Sequence, residues 1–294
     1  MLDDLLGDRP ELPPPVDAAP KWLDTQHGRL CYYSKGQGHT TVLVHSINAA
    51  ATTYELRTLF EQLSASRRVI AFDWLGFGLS DRPERRYEPE LFTGILCHVL
   101  DALAPEGADV VALSLACQYV GVVAARQPER FRHLVFISPT GLGRWARRST
   151  LTNKTAAASL KLPGLGAAVF DGLTNRRAIR RFLGNSFADP RRLQPDHEWY
   201  AWATARQRNA RCAPLYFVAG LLEDERAPQA FRKLCNPTLM IFGDQARFSD
   251  PSAAKALAAW VPNVTVETVG ESGDLPHLEQ PQATGRLIQG FLER

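Results

Sequence analysis

The order of apolar and polar positions divides the chain into two sheet-forming stretches separated by a helical one. From about Gly28 to Gly36 the residues alternate as in a strand, and Thr40 to His45 (TTVLVH) is a β-branched run of the kind buried in a parallel sheet. Thr53 to Ser64 places Leu56, Leu59, Phe60 and Leu63 on one helical face. A strand over Arg68 to Asp73 closes in the glycine turn Leu75-Gly76-Phe77-Gly78, and a helix covers about Pro89 to Ala104. Strand Asp109 to Leu113, helix Leu115 to Arg126 and strand His133 to Ser138 follow. This alternation predicts an α/β fold: a mostly parallel central β-sheet flanked by helices, with right-handed crossovers.

Between about Leu142 and Cys235 the rhythm breaks into helical pieces divided by Pro163-Gly164, Gly184-Asn185, Pro190 and Pro195, which predicts an inserted helical cap. The sheet resumes with Thr238 to Phe242, a helix near Ala253 to Trp260, strand Asn263 to Val269 and a last helix from about Leu278 to Leu292. The expected organisation is an extended arm over 1–25, a core built from 26–141 and 236–294, and a cap over 142–235.

Composition narrows the class. The chain has 294 residues, 45% of them hydrophobic and 22% charged, as expected of a globular protein with a sizeable core. No apolar run reaches the roughly 18 residues that span a bilayer. Met1 to Pro20 mixes Asp3, Asp4 and Asp8 with Pro10, Pro13, Pro14 and Pro15 and lacks the basic start and apolar centre of a signal peptide. The five cysteines are odd in number, widely spaced and free of CxxC pairs, which argues against a disulfide framework or a zinc site. A reduced, cytoplasmic setting is expected, and nothing in the sequence calls for a cofactor or a metal.

The strongest chemical signal is Val110-Val111-Ala112-Leu113-Ser114-Leu115-Ala116. A buried strand ends, a small-x-Ser-x-small turn follows, and a helix begins at once, which is the setting of a nucleophile elbow. Small residues must flank the serine where strand and helix approach, and the helix N-terminus favours negative charge developing beside it. The competing reading is a serine that merely caps a buried helix.

From about residue 28 onward the chain resembles the α/β-hydrolase superfamily. The resemblance rests on Val44-His45-Ser46-Ile47-Asn48 after the first core strand, on Asp73-Trp74-Leu75-Gly76-Phe77-Gly78-Leu79-Ser80, on Pro237-Thr238-Leu239 and Gly243-Asp244, and on Pro276-His277-Leu278-Glu279-Gln280-Pro281. It implies that Ser114 is a nucleophile and that the amides of Leu115 and Ile47 hold an oxyanion. His45 and Asn48 then belong to the oxyanion loop, with His45 supporting it. The family's other two catalytic groups are missing from their positions: Ala246 stands where the acid is usual, and Asp274 where the histidine is usual. Three repairs stay open. His277, three residues beyond, reaches Ser114 on a shifted loop; Asp274 itself takes the proton; or Asp244 or Asp250 orients a displaced histidine.

Charge adds one feature. Residues 142–235 hold 17 Lys and Arg against seven Asp and Glu, within a chain of net charge +3, so the remainder is net negative. The clusters Arg144/Arg147/Arg148, Arg176/Arg177/Arg180/Arg181 and Arg206/Arg208/Arg211 read as a solvated face, or as attraction to anionic ligands or a membrane surface. No nucleic-acid module accompanies them. Trp145, Phe170, Phe182, Trp199, Tyr200, Trp202, Tyr216 and Phe217 concentrate in the same segment and suit a lid over an apolar substrate. The expected activity is an esterase-like serine hydrolase or acyltransferase acting through Ser114 on a small apolar or anionic molecule. Two alternatives stand beside it: a lyase-type step at Asp274, and a binding or scaffold protein without catalysis. Nothing in the sequence reads out the oligomeric state.

Overall fold

The computed structural model describes residues 10–142 and 164–294. Eight strands form one sheet: β1 (Lys21–Thr25), β2 (Gly28–Lys35), β3 (Thr40–Val44), β4 (Arg68–Phe72), β5 (Ala108–Leu113), β6 (Phe131–Ile137), β7 (Thr238–Gly243) and β8 (Val264–Val269). Their order is β1-β2-β4-β3-β5-β6-β7-β8. The pairs β1/β2 and β2/β4 are antiparallel, and all others are parallel.

The central strands are largely apolar because both faces of the sheet are covered. Along β5, Val110 and Ala112 join the cluster on one face with Trp74, Phe92, Tyr119 and Phe231, while Val111 and Leu113 join Leu59, Phe60, Ile288 and Phe291 on the other. The first face is covered by α1 (Pro89–Leu103) and α2 (Ala116–Ala124). The second is covered by α3 (Arg57–Ser64) and the C-terminal α4 (Pro281–Leu292).

The aspartate-glycine segment after β4 is a structural knot. Asp73 accepts hydrogen bonds from Thr53 N (2.9 Å), Leu79 N (2.9 Å) and Tyr33 Oη (3.1 Å). Gly78 sits over that carboxylate at φ +50, where a Cβ would fall 2.0 Å from Asp73 Cγ, so the turn admits glycine alone.

Two expected boundaries move. The arm was expected to run to residue 25, but Lys21–Thr25 is strand β1, paired antiparallel with β2. Its described remainder is packed: Leu12 meets Tyr200 and Ala203, Val16 enters the core, and Pro13 O accepts the Tyr200 hydroxyl at 2.8 Å. At the other end of the insertion, the short helix Ala227–Phe231 belongs to the core, since Phe231 packs against Phe136 and against Gly121 of α2. The cap helices proper are α5 (Leu165–Thr174), α6 (Arg176–Ser186), α7 (Pro195–Ala205) and α8 (Cys212–Val218). Arg144, Trp145, Arg147 and Arg148 lie outside the described residues. No helix among the described residues is long and apolar enough to cross a membrane.

Candidate active site

Ser114 follows β5 directly and takes a left-handed backbone conformation, φ 55, before α2 begins at Ala116. Its amide donates to Ile137 O of the neighbouring strand at 2.9 Å, and its carbonyl accepts from Cys117 N at 3.1 Å. A non-glycine residue at positive φ stores on the order of 1 kcal/mol or more of strain, which the surrounding contacts must hold. The flanking Ala112 and Ala116 are wholly buried, so larger residues would force strand and helix apart. Ser114 opens onto a cavity of about 520 Å³ whose wall includes Ile47 and Leu115. Among the described residues, no protein group occupies the Ile47 or Leu115 amide, which leaves two donors beside the serine.

The loop after β3 is braced from below and from above. His45 is buried away from the cavity: its Nδ1 donates to Ser46 O (2.6 Å) and its Nε2 accepts from Trp74 N (3.1 Å). Burial lowers its pKa to about 4, so the ring is neutral and shapes the loop without touching a ligand. From above, Glu55 accepts the Ser46 amide on Oε2 (3.1 Å) and Asn48 Nδ2 on Oε1 (3.0 Å). Asn48 also donates to Ser46 Oγ (2.9 Å) and accepts from Ala50 N (2.8 Å), so its amide group holds the loop. Glu55 lines the cavity and was not foreseen from the sequence. Ser138 was missed as well. It directly follows β6 at φ 46, lines the same cavity, and its buried Oγ has no partner among the described residues.

The groups expected from the sequence to serve as base or orienting acid are placed differently from expectation. His277 is fully buried, lies outside the cavity wall, and donates from Nε2 to Glu55 O at 3.0 Å. It is a helix-start residue packed under the cap, and the structure does not bring it to Ser114. Asp274 does line the cavity, but its oxygens accept from Arg247 N (2.8 Å), Phe248 N (3.1 Å), Ser249 N (3.1 Å) and Ser249 Oγ (2.8 Å). With four donors converging on it, this carboxylate ties down the loop after β7 and is no free base. Asp250 caps the following helix through Ala253 N (3.0 Å), and Asp244 accepts from Ser272 N (3.1 Å). No histidine imidazole is oriented by either. Among the described residues, no side chain hydrogen-bonds to Ser114 Oγ.

The buried histidines make stability depend on acid. Burial lowers His277 to about 4 and His197, within α7, to about 3, with Arg57 contributing to both shifts. The unfolded chain binds these protons near pH 6.5 and the folded chain does not, so stability is full above that value and falls as pH drops toward 4. Each histidine is expected to remove about 1–2 kcal/mol between pH 7 and pH 5. Burial raises Glu55, which works in the opposite sense and offsets part of the loss. Thermal melts should show a lower midpoint at pH 5 than at pH 7; a midpoint unchanged over that range would contradict this protonation account.

The cap closes the cavity with apolar side chains. Phe182 and Leu183 of α6 and Phe217 and Val218 of α8 form the roof, and Phe182 stacks on Phe248 from the core side at 6.1 Å. Trp199, Tyr200 and Trp202 instead join the cap to the arm and to Tyr54. The basic clusters are partly neutralised in place: Arg180 pairs with Glu198 (2.7 Å) and Arg206 with Asp171 (2.8 Å), while Arg176 lies over the Trp202 ring.

A family model described as "Alpha/beta hydrolase family" matches residues 41–287. The chain belongs to that family. The fold class expected from strand order, a mostly parallel sheet with helices on both faces, is that of the α/β hydrolases. Among curated relatives, 2-hydroxymuconate semialdehyde hydrolase of Pseudomonas putida is 28% identical over 271 residues, 90% of each chain. The enzyme of the same name from Pseudomonas sp. strain CF600 is 29% identical over 273 residues, again 90% of each chain. Among solved structures, 2-hydroxy-6-oxo-6-phenylhexa-2,4-dienoate hydrolase from Rhodococcus sp. strain RHA1 aligns with a TM-score of 0.75 at 16% identity, covering 95% of this chain and 100% of that one. A serine hydrolase involved in carbazole degradation aligns with a TM-score of 0.77 at 18% identity, covering 94% and 99%. These structural likenesses concern the fold. The named relatives are hydrolases, which supports an enzyme of the α/β-hydrolase family.

Proposed function

We propose that this α/β hydrolase cleaves a small, largely apolar carbonyl compound, with Ser114 Oγ adding to the carbonyl carbon and the Ile47 and Leu115 amides holding the oxygen. One observation carries the reading: a strained serine at φ 55 opens into the cavity beside two unengaged amides. Backbone donors keep their function through changes of side chain, so this half of the machinery survives the loss of the usual histidine. Esters meet the requirement, as do ketones whose neighbouring carbon bond is broken. The relatives named for 2-hydroxymuconate semialdehyde favour the second class at the level of similarity.

The wall also favours an anionic end on the substrate. Arg247 lines the cavity and forms no ion pair among the described residues, so a carboxylate projecting toward Phe182 and Phe248 meets a cation. Arg247→Ala is expected to raise KM for an anionic substrate about tenfold while leaving a neutral ester of similar size unchanged. Equal effects on both would remove the carboxylate from the proposal.

The test of the main reading is covalent. A fluorophosphonate probe should label Ser114, and Ser114→Ala should abolish labelling. The binding-protein reading is favoured by one fact: among the described residues, no side chain is hydrogen-bonded to Ser114 Oγ. It expects ligand binding with neither labelling nor turnover. The lyase reading loses its support to the four donors that converge on Asp274.

A further inference from the structure

Hydrolysis through Ser114 needs a group that takes the serine proton, and the cavity wall holds two buried carboxyls, Glu55 and Asp274. Asp274 answers to four protein donors on one loop. Glu55 differs in kind. Its hydrogen-bond partners among the described residues are Ser46 and Asn48, both neutral, and no Lys or Arg among the described residues lies within ion-pair distance of it. The Ser46 amide and hydroxyl and the Asn48 amide take three of the carboxylate's four lone-pair positions and leave one for a further partner.

The position is fixed from the main chain. Thr52 caps the turn through Tyr54 N (3.1 Å), Thr53 N anchors on Asp73 (2.9 Å), and His277 holds Glu55 O (3.0 Å). The carboxyl is thereby set against Ser46, the residue before the Ile47 oxyanion donor, inside the cavity that exposes Ser114. Among the described residues, the other titratable groups of that wall are Glu223, Arg247, Asp250 and Asp274, and His277 meets Glu55 through its carbonyl.

We infer that Glu55 is the proton acceptor and donor of the Ser114 reaction, in the role the absent histidine would fill. The inference rests on Ser114 being the nucleophile. Glu55 takes the hydroxyl proton, directly or across one water, as Ser114 Oγ bonds to the carbonyl carbon. The carbonyl electron pair moves onto the oxygen held by Ile47 and Leu115. When that pair returns, the bond to the leaving group breaks and Glu55 delivers its proton to the departing oxygen or carbon. A water then attacks the acyl-serine; Glu55 takes its proton and returns it to Ser114 Oγ as the product acid leaves. One water is consumed and the enzyme is restored. An ordinary carboxylate is a weak base for serine, but burial raises Glu55 above the usual carboxylate range and brings it closer to working pH.

Three measurements test this. Glu55→Gln should lower kcat about 100-fold or more, slow fluorophosphonate labelling of Ser114 by a similar factor, and erase the acid limb of the kcat/KM profile. Because Glu55 also braces the oxyanion loop, Glu55→Ala assayed with added formate provides the second arm. Turnover should rise with formate concentration. Normal Ser114 labelling in the parent protein, with an acid limb that persists in Glu55→Gln and no rescue of Glu55→Ala by formate, would reduce Glu55 to a loop brace. Absence of labelling in the parent protein would overturn both the nucleophile and the role built on it.

Discussion

Ser114→Ala should lower kcat by at least about 10³-fold on any substrate the protein turns over, with little change in ligand affinity. The reason is geometric. The cavity, its apolar roof of Phe182, Leu183 and Phe217, and the amides of Ile47 and Leu115 remain when the hydroxyl is removed, so binding persists and only covalent addition is lost. The strain at this position supplies an independent readout. At φ 55, alanine is as unfavourable as serine, whereas glycine is at ease there. Ser114→Gly should therefore be inactive yet more stable by about 1 kcal/mol in urea unfolding. An inactive Ser114→Gly variant that is also less stable would mean that the turn is not held under strain.

Asp274→Ala should be the most destabilising of the cavity substitutions, lowering stability by about 2–4 kcal/mol, because three amides and one hydroxyl lose a charged acceptor together. The loop 247–249 is fastened to the sheet edge by that carboxylate, and Asp274 N in turn donates to Ser186 O of the cap at 2.7 Å. Asp274 thus joins core loop and cap helix. Asp274→Asn keeps one carbonyl oxygen as acceptor and should lose about half as much. At a temperature where it is folded, its kcat should stay within about tenfold of the parent. Urea unfolding and steady-state kinetics on the same sample separate the two roles: full stability with abolished turnover would restore Asp274 as the base.

The fold was legible where burial on two faces leaves an unmistakable apolar run, as in Thr40–Val44, Ala108–Leu113 and Thr238–Gly243. It was not legible at Lys21–Thr25, where an exposed edge strand has no buried face to write into the sequence and its ladder partner alone defines it. The arm hid its packing for a related reason. Leu12 and Val16 are single anchors among prolines, and their partners lie far along the chain in the cap and core.

The site divides in the same way. Ser114 could be read because an elbow imposes a local pattern, small residues on either side of a serine between strand and helix. Asp274 could be placed near the serine by counting from neighbouring motifs, and it does line the cavity. Glu55 carried no such mark. In the sequence Thr53-Tyr54-Glu55-Leu56 it looks like the polar residue of an amphipathic turn, and only the fold of Ser46 and Asn48 over it takes it out of water. His277 posed the reverse problem: its spacing from the expected base is short along the chain, but the helix beginning at Pro276 turns its ring onto the Glu55 carbonyl. The charge excess in the cap was real as a count, yet Glu198 and Asp171 meet two of its arginines through pairings that composition does not reveal.

The most direct measurement of the central claim is rapid chemical quench of turnover followed by mass spectrometry of the peptide that contains Ser114. With an activated ester of an apolar acid, that peptide should gain the mass of the acyl group in the first turnover and lose it as product forms. Sustained Ser114-dependent turnover with a growing and decaying adduct is the predicted result. Turnover that proceeds with the Ser114 peptide unmodified, or undiminished in Ser114→Ala, would contradict it.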